Sequence, residues 1–259
     1  MSAGDRKVAF VTGAARGLGA AIALRLAQDQ FAVVCADIVE PADTVQNIAT
    51  QVHGDAIGVA VDVADTAQVE KAVRQTVDRF GRLDVLVNNA GIAPRVADFT
   101  EIVDAEIDRV FAVNVRGVLA CCRAAAPIMK RQNYGRIINT ASQAGRRGWP
   151  GWVVYSGSKA AVIAITQAIA MELAPYNILV NCICPGTMDT EMTRAGFEDV
   201  GEGTNQSAEE LIKAKARTIP LGRLGTPADM AAMVAWLASD GASFTTGSAL
   251  NLTGGELLF

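Results

Sequence analysis

Seven short apolar runs recur along the chain, and segments with helical patterning lie between them. Most of these runs are rich in Val and Ile and end in Gly, Asp or Asn, which is typical of strands buried on both faces. The runs cover 7–13, 31–37, 56–62, 83–89, 135–142, 177–186 and 248–255, and the helix-like segments cover roughly 17–29, 66–80, 101–130, 157–174 and 227–239. This alternation predicts one α/β domain in which helices cover both faces of a parallel sheet.

One segment, 187–225, interrupts the alternation directly after the sixth apolar run. It is polar and glycine-containing, and its "AEELIKAKA" stretch predicts a short helix. Long insertions in compact domains are usually functional lids or disordered excursions. Because open α/β sheets bind ligands at the carboxyl ends of their strands, we predict that 187–225 is a substrate lid.

Composition and charge exclude several classes of protein. Hydrophobic residues make up 51% of the 259 residues, and the formal net charge is −4. No run rich in Lys or Arg stands out, so neither a nucleic acid nor a membrane is expected as a partner. No signal peptide is visible, and charges such as Arg116 and Arg123 interrupt the apolar window 111–129. We therefore predict a cytoplasmic protein without a transmembrane helix.

The five cysteines lie inside apolar stretches, which predicts buried free thiols in a reducing compartment. They are Cys35, Cys121, Cys122, Cys182 and Cys184. The pair Cys182 and Cys184 would point to one face of a strand, but no second pair of ligands accompanies it. No metal site is predicted.

A glycine-rich loop, "TGAARGLG" at 12–19, follows the first apolar run and opens a helix. Gly13, Gly17 and Gly19 would let the backbone approach a ligand closely, and the helix N-terminus would offer N–H groups to a phosphate. The alternative is a tight strand–helix turn without a ligand. Asp37, at the end of the second strand, could accept hydrogen bonds from a ribose 2′-hydroxyl and would repel a 2′-phosphate, which favours NAD over NADP. Arg16 is the opposing signal, because it could reach a phosphate.

Two further features could carry chemistry. Asp62 and Val63 end the third strand, where they could hold an adenine ring, although Asp62 could equally cap the following helix. In "YSGSK", Tyr155 and Lys159 share one helix face, about one turn apart. The chain has a single histidine, His53, in a polar turn. A tyrosine beside a fixed cation is therefore the stronger candidate for proton transfer.

The sequence resembles the short-chain dehydrogenase/reductase family over essentially its whole length. The matching motifs are the glycine loop, Asp37, Asp62-Val63, "NNAG" at 88–91, Asn114, Ser142, Tyr155-x3-Lys159, "PG" at 185–186 and Thr190. The resemblance implies a single Rossmann-type, doubly wound domain over 1–259 with a seven-stranded parallel sheet.

The resemblance also implies roles for individual residues. Tyr155 would be the general acid/base, and Lys159 and an oxidised nicotinamide would lower the pKa of its phenol. Ser142 would bind the substrate oxygen, and Asn114 would hold a water that relays protons. The implied cofactor-binding residues are Gly13, Arg16, Gly17, Leu18, Gly19, Asp37, Ile38, Asp62, Val63, Asn89, Ala90, Gly91, Tyr155, Lys159, Pro185, Gly186, Met188 and Thr190.

The resemblance implies an NAD-dependent oxidoreductase that interconverts a secondary alcohol and a ketone by hydride transfer. The loop "ASQAGRRG" at 141–148 looks like one in sorbitol-type polyol dehydrogenases of this family, which favours a polyol, a sugar or a similar hydroxyl compound. The alternatives are a reductase of oxoacyl thioesters, an activity that usually uses NADP, and a catalytically silent NAD-sensing protein.

The helix-like segment 157–174 is apolar nearly all round, and a sheet can cover only one of its faces. We therefore predict burial against another copy of the chain, with two-fold symmetry. The family resemblance favours a homotetramer, and a dimer is the other option. Coverage by 187–225 is the alternative explanation.

Overall fold

A seven-stranded parallel sheet forms the centre of the protein, as the resemblance implied. The computed structural model describes residues 6–204 and 206–258. The strands are β1 (Val8–Thr12), β2 (Ala32–Asp37), β3 (Ala56–Ala60), β4 (Val85–Asn88), β5 (Gly135–Thr140), β6 (Ile178–Pro185) and β7 (Ala249–Leu252). Their order in the sheet is β3-β2-β1-β4-β5-β6-β7.

Ten α-helices are present in the described part of the chain. They are α1 (Gly17–Gln28), α2 (Ala42–Val52), α3 (Thr66–Phe80), α4 (Asp104–Phe111), α5 (Val118–Gln132), α6 (Gln143–Arg146), α7 (Val153–Leu173), α8 (Glu191–Thr204), α9 (Ala208–Thr218) and α10 (Pro227–Ala238). A six-residue turn of π-helix, Ala112–Gly117, joins α4 to α5.

Apolar side chains alternate along the strands and so feed a separate core on each face of the sheet. On β1, Phe10 belongs to the core that also contains apolar residues of α3, α5 and α7. Its neighbours Ala9 and Val11 belong to the core that contains apolar residues of α1, α2 and α10. Because both faces are covered, the strands β1, β4, β5 and β6 are buried along their whole length.

The strand order reverses at β1. The chain runs outwards through β2 and β3, and then returns to place β4 on the other side of β1. In open parallel sheets this reversal leaves a crevice at the carboxyl ends of the strands, where ligands bind. The predicted site residues Asp37, Ser142 and Pro185 lie at or just after such strand ends.

The structure confirms the seven predicted strands but corrects the helices in four places. The prediction of one helix over 101–130 is wrong at its middle, where the π turn separates α4 from α5. The helices α2, α6 and α8 were not predicted. The predicted short helix within 187–225 is α9. The prediction that 187–225 acts as a lid remains a prediction.

Two helical stretches, Asp104–Gln132 and Val153–Tyr176, are long and apolar enough to cross a membrane by length and composition. In the fold, however, they pack against the sheet: Val118, Cys121 and Val162 belong to the core that contains Phe10. This packing is that of core helices in an α/β domain.

Candidate active site

The glycine loop is held close to the start of α1. Gly13 and Gly17 adopt positive φ angles of 66° and 58°, which a residue with a side chain rarely tolerates. A Cβ atom at Gly19 would lie 1.9 Å from the carbonyl oxygen of Gly13, so only glycine fits there. A Cβ at Gly17 would meet no atom within 4 Å, and no side chain caps the first turn of α1. The loop therefore presents open backbone at a helix N-terminus, which suits a phosphate.

Thr12 and Asn89 fix this loop to the adjacent strand β4. The Thr12 hydroxyl accepts hydrogen bonds from the backbone N–H groups of Asn89 and Ala90, each at 3.0 Å. The Asn89 side-chain amide donates to the carbonyl oxygens of Thr12 at 3.0 Å and Gly13 at 3.3 Å. Asn89, predicted to line the cofactor's ribose side, thus also shapes the loop. The bracing by Thr12 was not predicted.

Asp37 lies beside the glycine loop at the end of β2. Its two carboxylate oxygens accept hydrogen bonds from the backbone N–H groups of Ala15 at 2.9 Å and Ile38 at 2.7 Å. Arg16 points instead towards α8, where its guanidinium bonds the exposed carboxylate of Glu191 at 3.1 Å. Ile38 is 69% exposed, and Leu18 packs against the core that contains Val11.

Asp62 does not cap the following helix, so that alternative is wrong. The N-cap of α3 is Asp65, which accepts hydrogen bonds from the backbone N–H groups of Ala67 and Gln68. Asp62 instead accepts from the backbone N–H of Ala64 at 2.9 Å. The neighbouring Val63 is buried.

The π turn between α4 and α5 carries Asn114 into the interior. Its side chain exchanges hydrogen bonds of 2.9 Å with both the N–H and the carbonyl oxygen of Ile92, and it donates to the Ser158 hydroxyl at 3.1 Å. A Cβ atom at Gly91 would lie 3.3 Å from both Asn114 Oδ1 and Lys159 Nζ. Asn114 is therefore close to the predicted catalytic lysine, within a local widening of the helix that often marks functional sites.

Ser142, Tyr155 and Lys159 meet at the carboxyl end of β5. Ser142 is the N-cap of α6: its hydroxyl accepts from the backbone N–H of Ala144 at 3.1 Å, and it lies close enough to the Tyr155 hydroxyl to affect the pKa of that phenol. Lys159 is 4% exposed; its ammonium group donates to the carbonyl oxygen of Thr140 at 2.8 Å and lies 5.7 Å from the centre of the Tyr155 ring. The Trp152 ring packs edge-on against the Tyr155 ring, with centroids 5.4 Å apart.

Burial dominates the pKa values of Tyr155 and Lys159 in the protein alone. Burial raises the pKa of Tyr155 above that of an ordinary phenol, and the hydrogen bond with Ser142 opposes this rise only in part. Burial also lowers the pKa of Lys159 to about 8, against the opposing effects of Cys184 and Cys182. The lowered pKa that we predicted for this phenol was attributed to Lys159 together with an oxidised nicotinamide, and it stays a prediction; in the protein alone, the loss of solvation dominates.

The segment after β6 carries the last group of predicted site residues. Pro185 ends β6, and Gly186 donates its N–H to the carbonyl oxygen of Leu252 at 2.9 Å. Met188 is buried and pairs with Gly225, so the two ends of 187–225 lie side by side. The Thr190 hydroxyl bonds that of Thr193 at 3.1 Å.

Sequence reasoning did not identify a polar cluster on the other side of Ser142. It consists of Gln143, Glu256 and Lys215, which come from α6, the C-terminal segment and α9. Lys215 also lies 5.8 Å from the centre of the Trp149 ring. In the sequence, the only sign of this cluster was the glutamine directly after the predicted catalytic serine.

The arrangement suits a dinucleotide. Open backbone at the N-terminus of α1 can hold phosphates, Asp37 can hold a ribose, and the buried ammonium of Lys159 lies beside the phenol that would act on the substrate. Within residues 6–204 and 206–258, no group of three or more His, Cys, Asp or Glu side chains could hold a metal ion.

Comparisons with known proteins agree with this geometry. A family model described as enoyl-(acyl carrier protein) reductase matches residues 13–256. A 3-oxoacyl-[acyl-carrier-protein] reductase of Synechocystis sp. is 37% identical over 100% of both chains. The structure of an NAD⁺-bound xylitol dehydrogenase matches with a TM-score of 0.89 and 35% identity over 96% of this chain and 98% of that one. A variant of actinorhodin polyketide ketoreductase with NADPH matches with a TM-score of 0.94 and 34% identity over 99% of both chains.

Fold, site and relatives together define a nucleotide-dependent oxidoreductase that acts on CH–OH groups. The chain belongs to the short-chain dehydrogenase/reductase family, as its motifs indicated.

Proposed function

We propose that this protein oxidises a secondary alcohol to a ketone with NAD, and catalyses the reverse reduction, with Tyr155 as the general acid/base. The observation that carries the proposal is the buried ammonium of Lys159, held by the Thr140 carbonyl oxygen 5.7 Å from the centre of the Tyr155 ring, with the Ser142 hydroxyl near the phenol. A carbonyl or alcohol oxygen placed against these two hydroxyls would be oriented and could exchange a proton with Tyr155.

Lys159 and Asn114 support that proton transfer from within the protein. Lys159 is held by the carbonyl oxygen of Thr140, and Asn114 is fixed by three hydrogen bonds close to the lysine ammonium. A bound nicotinamide would supply the hydride acceptor and, when oxidised, a positive charge. Because burial alone raises the pKa of Tyr155, we propose that the phenol becomes acidic only when the cofactor is bound.

NAD is proposed rather than NADP because of Asp37. Its carboxylate is held beside the glycine loop by two backbone N–H groups, and it can still accept a bond from a ribose hydroxyl. A 2′-phosphate there would meet a negative charge. Arg16, which could compensate for that charge, is bonded to Glu191.

A second candidate is an oxoacyl thioester reductase that works with NADPH. The Synechocystis relative, which bears that kind of name, and the description of the family model favour it. The two candidates are separated by measuring turnover of polyols, sugars and simple alcohols with NAD, and of an acetoacetyl thioester with NADPH. Preference for the thioester with NADPH would replace the first proposal with the second.

Replacing Tyr155 with Phe tests the mechanism. Because the phenol is the proposed general acid/base, we expect Tyr155→Phe to lower kcat by at least about a thousandfold. The Kd for NAD should change by less than about threefold, since one hydroxyl contact is worth little. Tyr176→Phe is the matched control, because Tyr176 is 40% exposed and contacts only Lys130 among the interactions described for its ring. Turnover that survives Tyr155→Phe would contradict the mechanism, and a protein that binds NAD without turning over any substrate would be a sensor.

We also propose that the protein is a cytoplasmic homotetramer, or else a dimer, and that it binds neither nucleic acid nor membrane. The apolar residues Phe111, Leu119 and Met171 on the helices α4, α5 and α7 are 37%, 42% and 74% exposed in the single chain, which supports association with further copies.

A further inference from the structure

Arg16 in the glycine loop forms an ion pair with Glu191, the first residue of α8. Arg16 Nη1 lies 3.1 Å from Glu191 Oε2, although the two residues are 175 positions apart in the sequence. The strand before the loop, β1, and the strand before α8, β6, are separated in the sheet by β4 and β5. The pair therefore spans the carboxyl ends of these strands, where the proposed dinucleotide would bind.

Arg16 also lies within reach of Asp37. The residue before it, Ala15, donates its backbone N–H to Asp37 Oδ2 at 2.9 Å, and Ile38 donates to the other carboxylate oxygen. Consecutive Cα atoms are about 3.8 Å apart, so the long side chain at position 16 could reach a phosphate held beside Asp37. In the described part of the chain, however, the ion pair of Arg16 is with Glu191 and not with Asp37.

The neighbouring charges at the start of α8 are paired with each other. Asp189 accepts two hydrogen bonds from Arg194, at 2.8 and 2.9 Å. Within 6–204 and 206–258, neither residue forms an ion pair with Arg16 or Glu191. The charges that remain beside the glycine loop are those of Asp37, Arg16 and Glu191, and the two carboxylates outweigh the guanidinium.

We propose that Glu191 selects against NADP by holding the Arg16 guanidinium at α8, where it cannot neutralise a 2′-phosphate beside Asp37. Glu191 is thus a positioning residue that acts on the cofactor through Arg16. The inference rests on the proposed function and adds a second determinant of the NAD preference, located on the predicted lid. NADP would have to break the ion pair before it could use this cation, whereas NAD leaves the pair intact.

The expected effect is modest because the pair is exposed to solvent. The side chains of Arg16 and Glu191 are 81% and 75% exposed. Ion pairs of this kind change an equilibrium constant by about two- to fivefold, because water screens them. Glu191→Gln removes the charge and keeps the size of the side chain. The ratio of the Kd for NADP to the Kd for NAD should therefore fall about two- to fivefold in this variant.

Calorimetric titration with NAD and NADP measures this ratio in the unchanged protein, Glu191→Gln, Arg16→Met and the double variant. Because Glu191 acts through Arg16, Glu191→Gln should change the ratio only where Arg16 is present. Glu198→Gln removes the same charge from an exposed position of the same helix and should leave the ratio unchanged. If the unchanged protein binds NADP too weakly to titrate, the same set is compared in the Asp37→Asn background.

Two results would overturn the inference. An unchanged ratio in Glu191→Gln would show that the ion pair does not influence cofactor choice, and the dehydrogenase proposal would stand. A fall of equal size without Arg16, or in Glu198→Gln, would show a general effect of negative charge on α8. If the unchanged protein prefers NADP, the proposed NAD preference fails, but a fall that still requires Arg16 would support the role of Glu191.

Discussion

Lys159 has a predicted catalytic role, but burial of its ammonium group lowers the stability of the fold. It is 4% exposed, and its only hydrogen-bond partner among the described residues is the carbonyl oxygen of Thr140. No carboxylate within 6–204 or 206–258 forms an ion pair with it, and burial lowers its pKa from the ordinary 10.5 to about 8. That difference corresponds to about 3 kcal/mol of unfavourable burial at neutral pH.

We therefore expect Lys159→Met to make the protein more stable at pH 7 while abolishing catalysis. The gain should be about 1–2 kcal/mol, since the Thr140 carbonyl loses its donor and offsets part of the benefit. Urea unfolding of the unchanged protein and of Lys159→Met measures this difference in the free energy of unfolding. Lys71→Met, at an exposed position of α3, is the control and should change stability by less than about 0.5 kcal/mol.

The gain in stability from Lys159→Met should become smaller as the pH rises from about 8 to 10.5. In this window the folded lysine has lost its proton while the unfolded chain still holds one, so rising pH favours the folded state of the unchanged protein. A variant that is less stable than the unchanged protein at every pH would contradict this account.

Asp37 carries the prediction of cofactor preference. Replacing it with Ala removes a negative charge beside the glycine loop, so the Kd for NADP should fall relative to that for NAD by about tenfold or more. Calorimetric titration with each cofactor measures the ratio. Asp37→Asn removes the charge but keeps the size of the side chain, and should give a similar shift if charge is the cause. If the unchanged protein binds NADP more tightly than NAD, then Asp37 does not set a preference for NAD.

At the scale of elements, the strands and most of the helices could be predicted because their apolar residues recur with a clear period. The helix α2 was missed although Val45, Ile48 and Val52 recur at helical spacing and pack in the core that contains Val11. The π turn at Ala112–Gly117 is hidden for a different reason: the apolar pattern continues through it. The candidate site likewise contains some residues that local sequence patterns predict and others that they do not.

The motif residues of the site, such as Tyr155 and Lys159, are close in sequence, and their spacing predicts a shared helix face. The cluster around Gln143 could not be predicted, because Glu256 lies 113 residues away in the sequence. Only the folded sheet edge brings α6, α9 and the C-terminal segment together. Local patterns report on local geometry, whereas this cluster depends on tertiary packing.

The segment 187–225 is the element whose motion is testable. Its ends pair through Met188 and Gly225, and Lys215 of α9 reaches Glu256. If it is a lid, the amides of α8 and α9 should exchange hydrogen more slowly once NAD and a substrate are bound. The amides of α3, which is remote from these contacts, are the internal control. Equal exchange from α8 and α9 in both states would argue against a lid.

At the scale of the whole molecule, the face formed by α4 and α5 predicts association. It contains a groove of about 710 Å³ lined by Asp108, Arg109, Phe111, Ala112, Val115, Arg116 and Leu119. A charge placed there would be buried in any interface that covers the groove, at a cost of several kcal/mol.

We therefore expect Leu119→Glu to lower the mass of the assembly seen by sedimentation at micromolar concentration. Val39→Glu places the same charge on a residue that is 60% exposed in the loop after β2, and should leave the mass unchanged. A monomeric mass for the unchanged protein would refute the predicted oligomer.

The π turn sets the position of Asn114, a predicted catalytic residue. It holds one residue more than a regular α-helix needs between α4 and α5, and Asn114 reaches Ile92 and Ser158 from within it. A chain shorter by one residue there could close an uninterrupted helical ladder and leave α4 and α5 in register. If Asn114 has its predicted role, the loss of a single codon in this turn should preserve the fold and remove catalysis.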